Sequence, residues 1–202
     1  NFILFKDYLA RSFPLLHQQL SLSVINQYSL LYHWRGTDEA LEPLLLLAHF
    51  DTVPVIPGTE KEWLHPPYSG AIAQSQVWGR GAIDDKGGVI TQLEAVETLL
   101  RNNYQPRRSV YLAFGHDEEI GGVDGAKAIG ELLHQQGLRF HLVLDEGSMI
   151  VDAGTMPGVN AALAMIGHAE KGYLSVRLTV HDKGGHSSIP PRHSAAGIIG
   201  AA

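Results

Sequence analysis

Three apolar runs in this sequence, residues 44–48, 110–114 and 140–144, each end in residue types that bind metals. The first leads into His49-Phe50-Asp51 and the second into Gly115-His116-Asp117-Glu118-Glu119. The third leads into Asp145-Glu146. A fourth acidic segment, Asp84-Asp85-Lys86, follows Gly79-Arg80-Gly81 and stands immediately before a helical pattern. Carboxylates gathered at one place repel one another and raise their pKa values, and divalent cations remove that repulsion. His, Asp and Glu without thiolates suit zinc, with manganese or cobalt as substitutes. Two such cations about 3.5–4 Å apart can activate a water and polarise a carbonyl.

Each piece alone has an ordinary reading. A single strand-end histidine such as His49 is more often just hydrogen-bonded. Asp51, two residues on and able to orient the imidazole, favours the ligand reading. Asp84 and Asp85 can simply complement a helix dipole. Glu118-Glu119 can be surface acids, and Asp145-Glu146 can cap a loop. His186, in Gly184-Gly185-His186-Ser187-Ser188, can be an ordinary loop residue. Gly79-Arg80-Gly81 is not a dinucleotide fingerprint, because Asp84 stands where the third glycine belongs. All of them together, in this order, carry the reading.

The elements that position these residues follow from periodicity. Uninterrupted apolar runs of this length suit strands buried on both faces, and sites in α/β sheets form outside the carboxyl ends of strands. Residues 20–25 and 29–34 read as further strands, and residues 1–11 as a helix. Helical patterns at residues 88–100 and 124–136 separate the runs, the second with Asp124 as N-cap and Gly137 as its stop. Strands alternating with such helices indicate an α/β sheet. From Tyr173 the pattern changes. Leu174, Val176, Leu178 and Val180 alternate with Ser175, Arg177 and Thr179 as a half-exposed strand, followed by a glycine-rich turn, a Pro-Pro turn and a helix starting at Ala195. A domain boundary is expected near residue 170.

Composition bounds the alternatives. The 202 residues are 45% hydrophobic and 18% charged, those of an ordinary globular protein, with 15 basic against 21 acidic side chains and a net charge of −6. That balance, with no run of like charge, argues against a nucleic-acid surface and a polybasic membrane patch. Zero cysteines exclude disulfides and thiolate metal sites, so any metal falls to the 11 histidines and the acids. No stretch reaches the roughly 18 apolar residues that span a bilayer. The chain begins at Asn1, so localisation stays open.

The ordered set H-F-D-x-V-P, G-R-G-x-x-D-D-K-G-G, G-H-D-E-E-x-G-G, V-L-D-E-G and G-G-H-S-S-x-P-P resembles the di-zinc aminoacylase/carboxypeptidase metallopeptidase family, in its carboxypeptidase S (Gly-X carboxypeptidase) branch. Glu170-Lys171-Gly172 belongs to the same resemblance, which extends over the whole chain. It implies an α/β fold over residues 1–169, a mixed sheet flanked by helices as in zinc-peptidase catalytic domains. Residues 170–202 would be the truncated start of an α+β lid and dimerisation domain. The implied activity is hydrolysis of an amide or peptide bond beside a free carboxylate, on a peptide or N-acyl amino acid, by a homodimer holding two Zn²⁺.

Residue by residue, the resemblance assigns His49, Asp84 and Glu146 to one metal, and Asp84 with Glu119 to the other, the Asp84–Asp85 peptide being cis. Glu118 would be the general base, and Asp51 would orient His49. His186 would stabilise the developing oxyanion from a partner subunit. The family carries one more histidine ligand and its carboxylate-binding groups after the lid, and nothing here matches them. The chain therefore reads as a fragment with little turnover alone. The alternatives are a zinc aminopeptidase without a lid and a non-catalytic binding module; the strand expected after residue 170 and the retention of Glu118 argue against them.

Overall fold

Residues that alternate along the central strands are sorted by one sheet to two different cores. The computed structural model describes residues 2–147, 150–169, 171–186, 188–189 and 191–201, so Glu170, Ser187 and Pro190 of the motifs above lie outside the described residues. Two units emerge, Asn1–Gly147 and Ser148–Ala202. In the first, α1 (Phe2–Ser12) and α2 (Pro14–Gln19) precede β1 (Ser21–Ile25), β2 (Ser29–Trp34) and β3 (Leu44–His49). A small hairpin, β4 (Ala71–Ala73) and β5 (Gln76–Trp78), leads to α3 (Lys86–Arg101), β6 (Val110–Gly115), α4 (Ala128–Gln135) and β7 (Leu142–Leu144).

The main sheet has the order β1-β2-β6-β3-β7. β1 and β2 form an antiparallel hairpin whose turn residues Asn26 and Gln27 have φ of 45° and 75°. β2 pairs antiparallel with β6, while β6, β3 and β7 run parallel, which makes the sheet mixed. His49 pairs with Gly115, and Leu46 with Leu144, so the three parallel strands end at one edge. That edge is where the loops carrying the acids begin.

Along β6, Leu112 and Phe114 join Leu30, Tyr32 and Ala48 in a core closed by Leu9 and Leu16 of α1 and α2 and by Val89, Leu93, Val96 and Leu100 of α3. Tyr111 and Ala113 point the other way, against Leu31, Leu45 and Ile129 and Leu133 of α4. Each fully buried leucine here contributes about 2 kcal/mol. One link is polar. Glu97 of α3 is buried and accepts the N–H groups of Leu15 (3.1 Å) and Leu16 (2.8 Å), which α2 cannot satisfy internally. Pro14, with no N–H, starts that helix.

Three expectations are corrected. The run at residues 140–144 is not buried on both faces: its strand is only Leu142–Leu144, and these residues are 51–56% exposed, because β7 pairs only with β3 at the sheet's edge. Asp124 does not cap α4. The segment enters through Gly122 into a wide turn, Val123–Lys127, closed by Lys127 N–H to Gly122 O at 2.9 Å, and Asp124 lies inside it. Gly137 does stop the helix, at φ 72°. The strand expected at residues 173–180 is absent among the described residues. A strand needs a neighbour for its N–H and C=O groups. Among the described residues of this unit, β8 (Ile150–Val151) and β9 (Leu163–Ala164) pair only with each other, and Leu174, Val176 and Leu178 stay exposed. The helix from Ala195 is present as α5 (Ala195–Gly200), capped by Ser194 Oγ accepting from Gly197 N–H at 3.1 Å.

Candidate metal centre

His49 is the last residue of β3 and is 2% exposed, so its imidazole cannot choose its neighbours. Its Nδ1 lies 3.2 Å from Asp51 Oδ1. An Nδ1–H donated to that carboxylate leaves the Nε2 lone pair facing outward, the tautomer a metal ligand needs. Around Nε2 stand Asp84 Oδ1 at 2.9 Å, Glu146 Oε1 at 3.1 Å and Glu118 Oε2 at 3.7 Å. One ring nitrogen carries at most one proton and cannot satisfy three carboxylates. Ligand atoms of His49, Asp84 and Glu146 all lie within 4.8 Å of one another. A nitrogen and two carboxylate oxygens gathered this closely fit a divalent cation such as zinc.

The loops bring these groups together by different means. Asp84 precedes α3 through a cis peptide to Asp85. Asp85 caps that helix by accepting Gly88 N–H at 3.0 Å, and it also accepts His49 N–H at 3.4 Å, tying the helix start to the end of β3. A side chain at Gly88 would place its Cβ 2.3 Å from the Asp85 carboxylate, so the D-D-K-G-G spacing is a packing requirement. Asp51 reaches across to the loop after β6, where it accepts Glu118 N–H at 3.2 Å and Glu119 N–H at 3.0 Å. Glu146 follows β7 in an exposed stretch, its side chain 31% accessible.

The electrostatics are those of crowded acids. Burial and the charges of Asp85, Asp84 and Glu118 push Glu146 up to about 7, against the opposing pull of His49. Burial raises Glu118 as well, helped by Glu119, Asp51 and Asp84 and opposed by His49. Burial alone would lower His49, but Glu146, Asp51, Glu118 and the hydrogen bond with Asp84 outweigh it and raise it. Lys86 is lowered by burial, with Asp51 and Glu119 opposing. A cavity of about 240 Å³, lined by His49, Glu118, Asp145 and Glu146 over Ile129 and Leu133, opens on this group.

The structure thus brings together His49, Asp51, Asp84, Glu118 and Glu146 of the residues expected from sequence. Glu119 is next to them in the chain, but its Oε1 accepts Val53 N–H at 3.0 Å, and it is not in the close ligand group. His186 belongs to the second unit, exposed, with Nδ1 2.8 Å from Ser188 Oγ. Asp85, expected only as an acid at a helix start, is buried as that helix's cap, and Asp117, given no role from sequence, is buried as well. The only sequence signal for them was a position inside an acidic motif, where the neighbouring acid drew the attention.

The family described as peptidase family M20/M25/M40 matches residues 45–201. Over 200 residues, 98% of this chain, the sequence is 44% identical to "Probable carboxypeptidase S-like 2" of Dictyostelium discoideum, covering 38% of that protein. It is 40% identical over 98% of its length to the N-fatty-acyl-amino acid synthase/hydrolase PM20D1 of Bos taurus, covering 39% of it. The chain spans about two-fifths of the length of these curated relatives. Among solved structures, an M20 family metallo-carboxypeptidase from Sulfolobus solfataricus, Sso-CP2, superposes with a TM-score of 0.59 at 25% identity, over 74% of this chain and 33% of that one. Human carnosine dipeptidase 1 shares the fold, with a TM-score of 0.56 at 20% identity over 73% of this chain and 34% of its own.

Proposed function

Because this chain belongs to peptidase family M20/M25/M40, we propose that it comes from a metal-dependent hydrolase that cleaves an amide or peptide bond beside a free carboxylate. The observation that carries this is the His49 Nε2 nitrogen ringed by Asp84, Glu146 and Glu118 at the carboxyl edge of the parallel strands. The substrate class is a peptide or N-acyl amino acid, as the names of the carboxypeptidase S-like and N-fatty-acyl-amino acid relatives suggest.

In this reading His49, Asp84 and Glu146 hold one zinc, and Asp84 with Glu119 contributes to a second, with manganese or cobalt able to substitute. Bound divalent cations supply Lewis acidity, which makes water easier to deprotonate and an amide carbonyl easier to attack. Glu118 does the proton work. Its carboxylate takes the proton of the attacking water and returns it to the departing nitrogen. Asp51 keeps His49 in the Nδ1–H tautomer and holds the Glu118 and Glu119 amides in place. His186 donates to the oxyanion that develops on the carbonyl, from a lid and dimerisation domain that starts near residue 170 in a homodimer.

The test is a full-length protein assayed against an N-acyl amino acid and an aminoacyl-arylamide. Hydrolysis of the first supports the proposal. Hydrolysis of the arylamide alone would replace it with an aminopeptidase, and saturable binding without turnover of either would replace it with a binding module.

A further inference from the structure

Two residues before Glu119, Asp117 is buried and is not one of the close group His49, Asp84 and Glu146. Its backbone and side chain are used several times over. Its carbonyl oxygen accepts Ile120 N–H at 3.3 Å and Gly122 N–H at 2.8 Å, closing the turn that contains Glu118 and Glu119. Its Oδ2 accepts Asp124 N–H at 2.8 Å, from inside the wide turn that enters α4. Its Oδ1 is enclosed with no hydrogen-bond partner among the described residues. That atom lies 2.4 Å from where a Cβ on Gly125 would stand, and the same point is 3.1 Å from Ser29 Oγ and 3.2 Å from His116 N. Ser29, fully buried at the start of β2, is 2.6 Å from His116 Nδ1.

From this geometry we infer that Asp117 is a positioning residue, wedged against Gly125, that sets where Glu118 and Glu119 stand. The two glutamates hang between two anchors. On one side the Asp51 carboxylate accepts both of their N–H groups. On the other, Asp117 ties the same turn to the entrance of α4 through Asp124 N–H, while the adjoining His116 reaches Ser29 of β2. The wide turn at Val123–Lys127 is the device that lets α4 approach: its i to i+5 closure brings Gly125 over Asp117, with no side chain between them. Insertions of this kind in a helix are frequent at functional sites. The unpartnered Oδ1 is a local cost of that close approach. The wedge itself rests on the turn geometry; its consequence for metal binding rests on the function proposed above.

The test uses Asp117→Ala, Asp117→Asn and Gly125→Ala in the 202-residue chain, with two readouts. Amide hydrogen exchange is followed at Glu118 and Glu119, whose N–H groups bond to Asp51. Asp117→Ala and Gly125→Ala should each speed exchange there by roughly tenfold or more, while the amides of α3 keep wild-type protection. Asp117→Asn, which retains an acceptor for Asp124 N–H, should restore most of the protection. The double variant Asp117→Ala/Gly125→Ala should be no worse than Asp117→Ala alone, because contacting residues are non-additive. Wild-type exchange at both glutamates, or an equal loss of protection across α3, would overturn the inference in favour of no role or a general structural one.

Co²⁺ titration of the metal-free chain, followed by its ligand-field spectrum, is the second readout. The equivalent that depends on Glu119 should weaken by about tenfold in Asp117→Ala, and the His49-dependent one should hold. A wild-type chain that takes up one equivalent and is insensitive to Glu119→Gln would remove Glu119 from the metal and sink that part of the proposed function. The exchange data would then still decide the wedge.

Discussion

His49 and His186 are both histidines marked by motif, and the molecule treats them differently. His49 is buried, with both ring nitrogens facing carboxylates from four separate segments. His186 is exposed and bonds to Ser188, two residues along. The difference lies in what surrounds each. His49 ends a strand paired on both sides, so its backbone is fixed before its side chain acts. His186 follows a segment, residues 173–180, whose alternating pattern finds no partner strand among the described residues. A motif locates chemistry only as well as its backbone is held.

Four changes would break or sharpen that contrast. In the full-length protein Glu118→Gln should lower turnover by about a thousandfold, within the usual range for a general base, and leave metal content nearly unchanged by elemental analysis. Loss of metal instead would show that Glu118 and Glu119 have been given each other's roles. His186→Ala should lower turnover by roughly a hundredfold with metal retained. Wild-type rates would remove His186 from the reaction and leave the contrast absolute. Asp51→Asn should weaken metal binding by about tenfold or more, since it loosens both the His49 tautomer and the Glu118–Glu119 turn. Unchanged affinity in a metal titration would mean that β3 alone fixes His49.

The smallest effect concerns Glu146 without metal. Its pKa is raised to about 7 in the fold, so the folded chain holds a proton there that the unfolded chain releases near pH 4.5. Stability from this group is therefore present below pH 4.5 and is lost as pH rises through 7. Glu146→Gln should melt higher than wild type at pH 8, and the gap should close at pH 5. A gap that persists at low pH would show that repulsion among the acids is not its cause.

Much of the fold was legible because it is local. The apolar runs ending at residues 48 and 114 predicted strands, and the helix before residue 101 followed from its spacing. What was not legible depends on groups far apart in the chain. Nothing near Pro14 announces that Glu97, about eighty residues away, will cap its helix. Asp124 has the residue type of an N-cap, but Asp117 already takes its N–H group, and the helix opens at Gly122 instead. The run at residues 140–144 has the composition of a doubly buried strand, yet burial is decided by what lies on either side, and β7 lies at the edge.

By itself, then, the sequence determined the candidate ligand types, their order and the strand ends that carry them, because side-chain chemistry and periodicity are written in adjacent residues. Tertiary structure decided which of those groups meet. Parallel register set His49 level with Gly115 and brought Glu146 to it, and the cap at Asp85 brought Asp84. Glu119 was turned toward Val53 by the same loop that aims Glu118 at His49. Distances between ligand atoms depend on how strands and loops pack, and no local pattern encodes them.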